Sequence, residues 1–148
     1  MVAELKDNGF SCLEASDGLS ALDGIRSTID TDLAIVEASY PDISGPDLCR
    51  SLRTISYLPV LYLSHGLNLN QKLDAYAAGA DDILEVPYQK DVFLTKLESL
   101  LRRYLVYRGK IIEFHGIQID HEKRIITKNG DLLDLTDLEL NILEYMFS

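Results

Sequence analysis

Asp32-Leu33-Ala34-Ile35-Val36-Glu37, followed by Ala38-Ser39-Tyr40-Pro41-Asp42-Ile43-Ser44-Gly45-Pro46, is the stretch that decides the fold. Leu33 to Val36 is a compact apolar run, the kind of strand that is covered on both faces of a parallel sheet. Glu37 to Gly45 reads as the loop that leaves it. Pro46 fits the first turn of the next helix, where its missing N–H costs nothing. Leu48, Cys49 and Leu52 would then face inward.

The same alternation extends in both directions. Upstream, residues 2–7 read as a helix stopped by Asn8-Gly9. Phe10-Ser11-Cys12-Leu13-Glu14-Ala15 reads as a short strand. Ser16-Asp17-Gly18 opens a second helix, with Leu19, Leu22, Ile25 and Ile29 near helical spacing. Downstream, residues 59–63 form an apolar strand ending at Ser64-His65-Gly66, and residues 69–78 a helix closed by Gly79. Asp82-Ile83-Leu84-Glu85 is a short strand, followed by Val86-Pro87. A helix from about residue 90 to 104 turns Phe93, Leu97, Leu100 and Leu101 inward. Strands alternating with helices predict an α/β fold with a parallel sheet covered on both faces.

The pattern changes near Tyr107-Arg108-Gly109-Lys110. Residues 111–114, 117–120, 124–128 and 132–135 read as short antiparallel strands, with Asn129-Gly130 as a two-residue hairpin turn. Thr136-Asp137-Leu138-Glu139 reads as a capping box, opening a helix with Leu138, Ile142 and Met146 on one face. The expected organisation is one domain over 1–104, a linker over 105–110 and the start of a second domain over 111–148.

Composition narrows the function. The chain has 148 residues, with 14 Lys+Arg against 24 Asp+Glu and a net charge of −10. Hydrophobic residues make up 47% and charged residues 26%, as in ordinary globular chains. No apolar run approaches the roughly 18 residues of a membrane span, and the first residues hold no signal-peptide core. Cys12 and Cys49 read as small core residues rather than a disulfide framework, so a cytoplasmic setting is expected. The acidity argues against nucleic-acid binding by this segment, and from residue 111 on there are 3 basic residues against 8 acidic ones. His65, His115 and His121 are too scattered for zinc. Ser64-His65 is no catalytic pair, because neighbours along a strand point to opposite faces.

Several strings in order carry a family resemblance. Asp32 to Glu37 with Tyr40-Pro41-Asp42-Ile43-Ser44-Gly45 resembles the third strand and following loop of response-regulator receiver domains. Ala77-Ala78-Gly79-Ala80-Asp81-Asp82-Ile83-Leu84, then Pro87-Tyr88 and a helix ending Leu100-Leu101-Arg102-Arg103, resembles the receiver's last helix–strand–helix segment. Leu135-Thr136-Asp137-Leu138-Glu139 resembles the Leu-Thr-x-x-Glu signature of the winged-helix effector of the OmpR/PhoB subfamily. The resemblance implies a flavodoxin-like doubly wound sheet of order 2-1-3-4-5, followed by the N-terminal antiparallel sheet and first helix of a winged-helix domain. The first strand, with its adjacent acidic pair, would precede Met1. The expectation is a truncated segment; the alternative is a natural chain that re-pairs its strands.

Receiver chemistry uses an Asp that takes phosphate, an acidic pair that helps hold Mg²⁺, a Ser/Thr hydroxyl and a Lys. The resemblance places Glu37 at the phosphoacceptor position and Ser64 at the hydroxyl position. Val86 stands at the Lys position, with Pro87 after a bond that is cis in the family. Ile83 stands at the aromatic switch position. With the acidic pair absent, no Mg²⁺ or other cofactor is expected. Glu37 is read either as a partial imitation of the phosphorylated state that reaches Ser64 or as an inert acid. Lys72, Asp81, Asp82 and Lys96 occupy charged positions of the family's dimer face, where Val92 replaces an acid; they are either dimer contacts or ordinary solvated charges. The expected function is a non-enzymatic, phosphorylation-independent transcriptional regulator. Its parent protein would bind DNA as a homodimer, with a sensor kinase as an open question and no membrane partner. The alternative is a protein-interaction module built on a pseudo-receiver.

Overall fold

The computed structural model describes residues 1–28, 30–107, 111–120 and 125–133. Its first sheet has three parallel strands, β1 (Ala34–Val36), β2 (Val60–Ser64) and β3 (Asp82–Glu85), with β2 in the middle. Every residue of β2 is buried. That is why Val60-Leu61-Tyr62-Leu63 is a continuous apolar run: a parallel strand covered on both faces has no polar side. The register pairs Ile35 with Leu61, Tyr62 with Ile83, and Ser64 with Glu85. The last pairing sets two polar residues side by side at the carboxyl edge of the sheet.

The helices are α1 (Val2–Asp7), α2 (Gly18–Ser27), α3 (Gly45–Ile55), α4 (Leu69–Ala78) and α5 (Lys90–Tyr107). Their ends have local causes. The Asp17 carboxylate accepts from the Ser20 N–H at the start of α2, and the Ser44 hydroxyl accepts from the Asp47 N–H at the start of α3. Pro46 lies in the first turn of α3, as its sequence position predicts. Asn68 and Gln71 form a reciprocal capping box at α4. Gly79 ends α4 at φ +119°, a left-handed conformation that glycine adopts without a Cβ penalty. Leu48, Cys49 and Leu52 of α3 and Phe93 and Leu97 of α5 are buried, in line with their spacing.

Three expectations are corrected. Residues 10–15 form no strand; they connect α1 to α2 as irregular chain. A strand exists only through hydrogen bonds to a neighbour, and among the described residues none pairs with this segment. Leu22 is buried but Leu19 is 68% exposed, so the inward face of α2 is narrower than the spacing implied; Ile29 lies outside the described residues. The last helix runs to Tyr107 instead of 104, and Leu101 is only half-buried on it. The chain divides into two compact units, Met1–Leu97 and Glu98–Ser148.

The second unit holds an antiparallel sheet of β4 (Ile111–Phe114), β5 (Ile117–Asp120), β6 (Ile125–Lys128) and β7 (Asp131–Leu133), paired in sequence order. Asn129 and Gly130 have φ +51° and +88°, as a two-residue turn between twisted strands requires. His115-Gly116 makes a second such turn at +48° and +77°, which its composition had not marked. Ile119 and Ile126 face each other across β5 and β6, each 1% exposed. His121, Arg124, residues 134–135, the capping box from Thr136 to Glu139 and the helix with Leu138, Ile142 and Met146 lie outside the described residues.

Candidate functional site

The carboxyl ends of β1, β2 and β3 bring the candidate residues to one edge of the first sheet. Glu37 follows β1 and is exposed. Its backbone N–H donates to the Tyr40 hydroxyl at 2.9 Å, while its carboxylate makes no hydrogen bond or ion pair with a described residue. Burial pushes the Tyr40 hydroxyl above its ordinary pKa. Gly45 lies directly behind Glu37. A Cβ there would collide with the Glu37 carbonyl oxygen and approach the Tyr62 hydroxyl to 2.7 Å. The start of α3 is therefore packed against the backbone that carries Glu37. Asp42, in the same loop, accepts from the N–H groups of Gly18 and Leu19 at 2.8 and 3.0 Å. Those two bonds hold its carboxyl below the ordinary carboxylate range and tie the loop to the start of α2.

The ends of β2 and β3 are arranged differently. Ser64 is fully buried. Its hydroxyl donates to Glu85 Oε2 at 3.0 Å and accepts from the Leu67 N–H at 3.3 Å. The other carboxylate oxygen, Glu85 Oε1, lies 2.7 Å from Lys72 Nζ. The Lys72 ammonium first and the Ser64 hydroxyl second hold the Glu85 carboxyl below its ordinary pKa. The structure therefore does not bring Glu37 to Ser64; Ser64 has Glu85 as its acceptor. Val86 is half-buried, its N–H bonds the Ser64 carbonyl at 2.8 Å, and the Val86–Pro87 bond is cis. Ile83 is 9% exposed in the sheet, opposite Tyr62. Tyr88, just beyond, donates to Glu4 at 3.0 Å and packs its ring against Phe93.

Of the charged candidates, Lys72 lies beside this edge and Asp81 and Asp82 lie at the amino end of β3; all four, Lys96 included, are paired within the chain. Asp81 bonds Arg53 at 2.6 Å and also accepts from the Val60 N–H at 2.8 Å. Arg53 donates further to the carbonyls of Leu58 and Gly79. Asp82 bonds Lys96 at 2.9 Å. Lys72 is held by Glu85, as above. The helices that carry Lys72 and Lys96 also expose some apolar side chains among polar ones. Leu69, Leu73 and Tyr76 recur at helical spacing along α4, with exposures of 71, 56 and 46%, and Val92 on α5 is 43% exposed.

A receiver fold implies Mg²⁺, and the donors at this edge do not fit it. Mg²⁺ demands near-octahedral oxygen ligation. Glu85 is occupied by Ser64 and Lys72. Among the described residues no three His, Cys, Asp or Glu side chains group as a metal site. Nor is any helix among them long and apolar enough to cross a membrane. Of the two cysteines, Cys49 is fully buried, and burial pushes its thiol up to about 11. Cys12 is only half-buried, so the reading of both as core residues holds for Cys49 alone.

Glu85 was not singled out by any motif. Its role depends on the register that sets it beside Ser64 and on α4 returning Lys72 to the same edge. Neither is written in local sequence.

Comparison with known proteins agrees with this fold. The family model of the response regulator receiver domain matches residues 1–98. The cell cycle transcriptional regulator CtrA of Caulobacter vibrioides is 28% identical over 143 residues, covering 96% of this chain and 62% of CtrA. The DNA-binding response regulator MtrA of Mycobacterium tuberculosis is 27% identical over 139 residues, covering 94% of this chain and 60% of MtrA. The chain thus spans less than two thirds of these relatives' length. A two-component response regulator from Clostridium difficile has a crystal structure that matches with a TM-score of 0.65 at 28% identity, covering 68% of this chain and 83% of that one. With a parallel sheet in the receiver arrangement and a family match over most of its length, the chain belongs to the response regulator receiver domain family.

Proposed function

We propose that this chain is the receiver and the leading sheet of a winged-helix domain from a cytoplasmic, DNA-binding transcriptional regulator that does not run an Asp-phosphate cycle. The reading rests on the resemblance, which sets Glu37 at the family's phosphoacceptor position and Val86 at its Lys position. A glutamate carboxylate projects one methylene further than an aspartate. In-line attack on a phosphoryl donor depends on alignment at the ångström level, and Val86 offers no charge to hold the phosphoryl oxygens. The chain itself is not an enzyme on this reading. DNA contact belongs to a recognition helix in the major groove, in a parent protein longer than this segment. The domain assignment is a receiver over 1–104, a linker over 105–110 and an incomplete winged-helix domain over 111–148.

The test is direct. The chain is incubated with Mg²⁺ and acetyl phosphate beside a Glu37→Asp/Val86→Lys variant, and intact mass is read. No phosphoryl adduct on the wild-type chain is expected. Labelling of wild-type Glu37 would overturn the reading.

The regulator would associate as a homodimer through α4, β3 and α5. Because Lys72, Asp81, Asp82 and Lys96 each have a partner inside the chain, association would rest on Leu69, Leu73, Tyr76 and Val92. Exposed ion pairs weaken with salt, whereas apolar contact does not. Sedimentation is expected to show a dimer that persists from low to high salt; a monomer throughout would remove the dimer. The same apolar stripe favours the second reading, an interaction module that docks a different protein without specific DNA binding. That reading predicts a monomer in the same experiment.

A further inference from the structure

We propose that Glu85 is an internal tether that fixes the β2–α4 loop and α4 to the end of β3, a place where a phosphorylated receiver would use a phosphoryl group. This rests on the reading of the chain as a receiver without phosphotransfer.

The geometry is specific. Both oxygens of one carboxylate are used, each toward a different element. Oε2 takes the proton of the Ser64 hydroxyl at 3.0 Å, and Oε1 takes the Lys72 ammonium at 2.7 Å. Ser64 in turn accepts from the N–H of Leu67, the residue immediately before the capping box of α4 opens at Asn68. One side chain thereby joins β3, the end of β2, the loop after it and the second turn of α4.

The two halves of the tether differ in weight. The Lys72–Glu85 pair is about half exposed on both sides, at 40% and 52%, and an exposed pair on its own contributes little. The Ser64 hydroxyl is wholly buried. A buried donor needs an acceptor, and an ionised acceptor gives the stronger bond. Glu85 is the side-chain acceptor of that hydroxyl, so removing its carboxylate orphans a buried donor as well as freeing Lys72. The consequence is a permanent setting. With its first turns held by the chain's own carboxylate, α4 presents Leu69, Leu73 and Tyr76 in one position without any covalent modification.

Amide hydrogen exchange on the 148-residue chain tests this. Glu85→Ala is expected to speed exchange of the amides over 67–76 about fivefold, with β2 and α3 unchanged, because a buried donor loses its charged acceptor. Glu85→Gln keeps an acceptor for Ser64 but loses the ion pair, and it should match Lys72→Met at about twofold over the same amides. Unchanged exchange over 67–76 in both Glu85 variants would overturn the tether. So would an increase spread evenly through β2 and α3. Should Glu85→Ala fail to fold, the Glu85→Gln result decides alone. Phosphoryl labelling of Glu37 would remove the function reading and leave a local exchange effect standing. Unlabelled Glu37 with unchanged exchange would remove the tether and leave the function reading intact.

Discussion

Two glutamates stand at carboxyl ends of strands in the same parallel sheet, and they behave in opposite ways. Glu37, after β1, is exposed, and what is fixed there is its backbone, through the Tyr40 hydroxyl and the close approach of Gly45. Glu85, at the end of β3, has both carboxylate oxygens engaged, one by a buried hydroxyl and one by an ammonium. Position in the family's motif points to the first; physical coupling belongs to the second. The lesson is that the residue a motif marks and the residue that couples the elements of one sheet edge can be different residues. At the β1 end the loop and helix start are packed against the backbone, and the carboxylate has no hydrogen-bond or ion-pair partner among the described residues. At the β3 end an unmarked residue holds the hydroxyl.

The largest expected effect is at the β1 end and lies in the backbone. Gly45→Ala would push a methyl group into the Glu37 carbonyl oxygen, an atom that cannot swing away as a flexible side chain can. A loss of about 3 kcal/mol in chemical denaturation is expected. If Gly45→Ala were neutral, the packing of α3 against Glu37 would be looser than described, and the contrast between a fixed backbone at Glu37 and an engaged carboxylate at Glu85 would weaken.

Much of the fold was legible because its causes are local. Val60 to Leu63 could be read as a buried parallel strand from its unbroken apolar run. Pro46, Gly79 and Asn129-Gly130 marked a helix start, a helix end and a turn through backbone geometry that each residue prefers. What failed depended on a partner. Residues 10–15 carry strand-like composition, yet a strand is defined by the neighbour it bonds. Leu19 fits the helical spacing of α2, but its burial depends on what lies opposite, and it is exposed.

The site residues were assigned by position in the resemblance, and their connections were not legible. Glu37, Ser64, Val86 and Pro87 were found by order along the chain, and the cis bond before Pro87 is present as the resemblance implied. Lys72, Asp81, Asp82 and Lys96 were read as charged positions of the family's dimer face or as ordinary solvated charges, and each has an intrachain partner that the sequence did not indicate. Those partners lie far off in sequence: Arg53 reaches Asp81 from α3, and Glu85 reaches back to Lys72 on α4. Periodicity reports which face a residue occupies, and it is silent on which charge across a strand end will meet it.

The account stands on Glu85 being ionised and held by Lys72 and Ser64, and carboxyl ¹³C titration of that side chain measures it most directly. A folded-state value below the ordinary 4.5 is expected. A carboxyl with a lowered folded value stabilises the fold above its unfolded value, and that contribution is lost as pH falls through the lower folded one. Protection of α4 should therefore fade below pH 4.5. Lys72→Met should move the Glu85 midpoint upward, because the largest cause of the shift is removed, and Glu37→Gln should leave it in place. A Glu85 midpoint at or above 4.5, or one indifferent to Lys72→Met, would contradict the account.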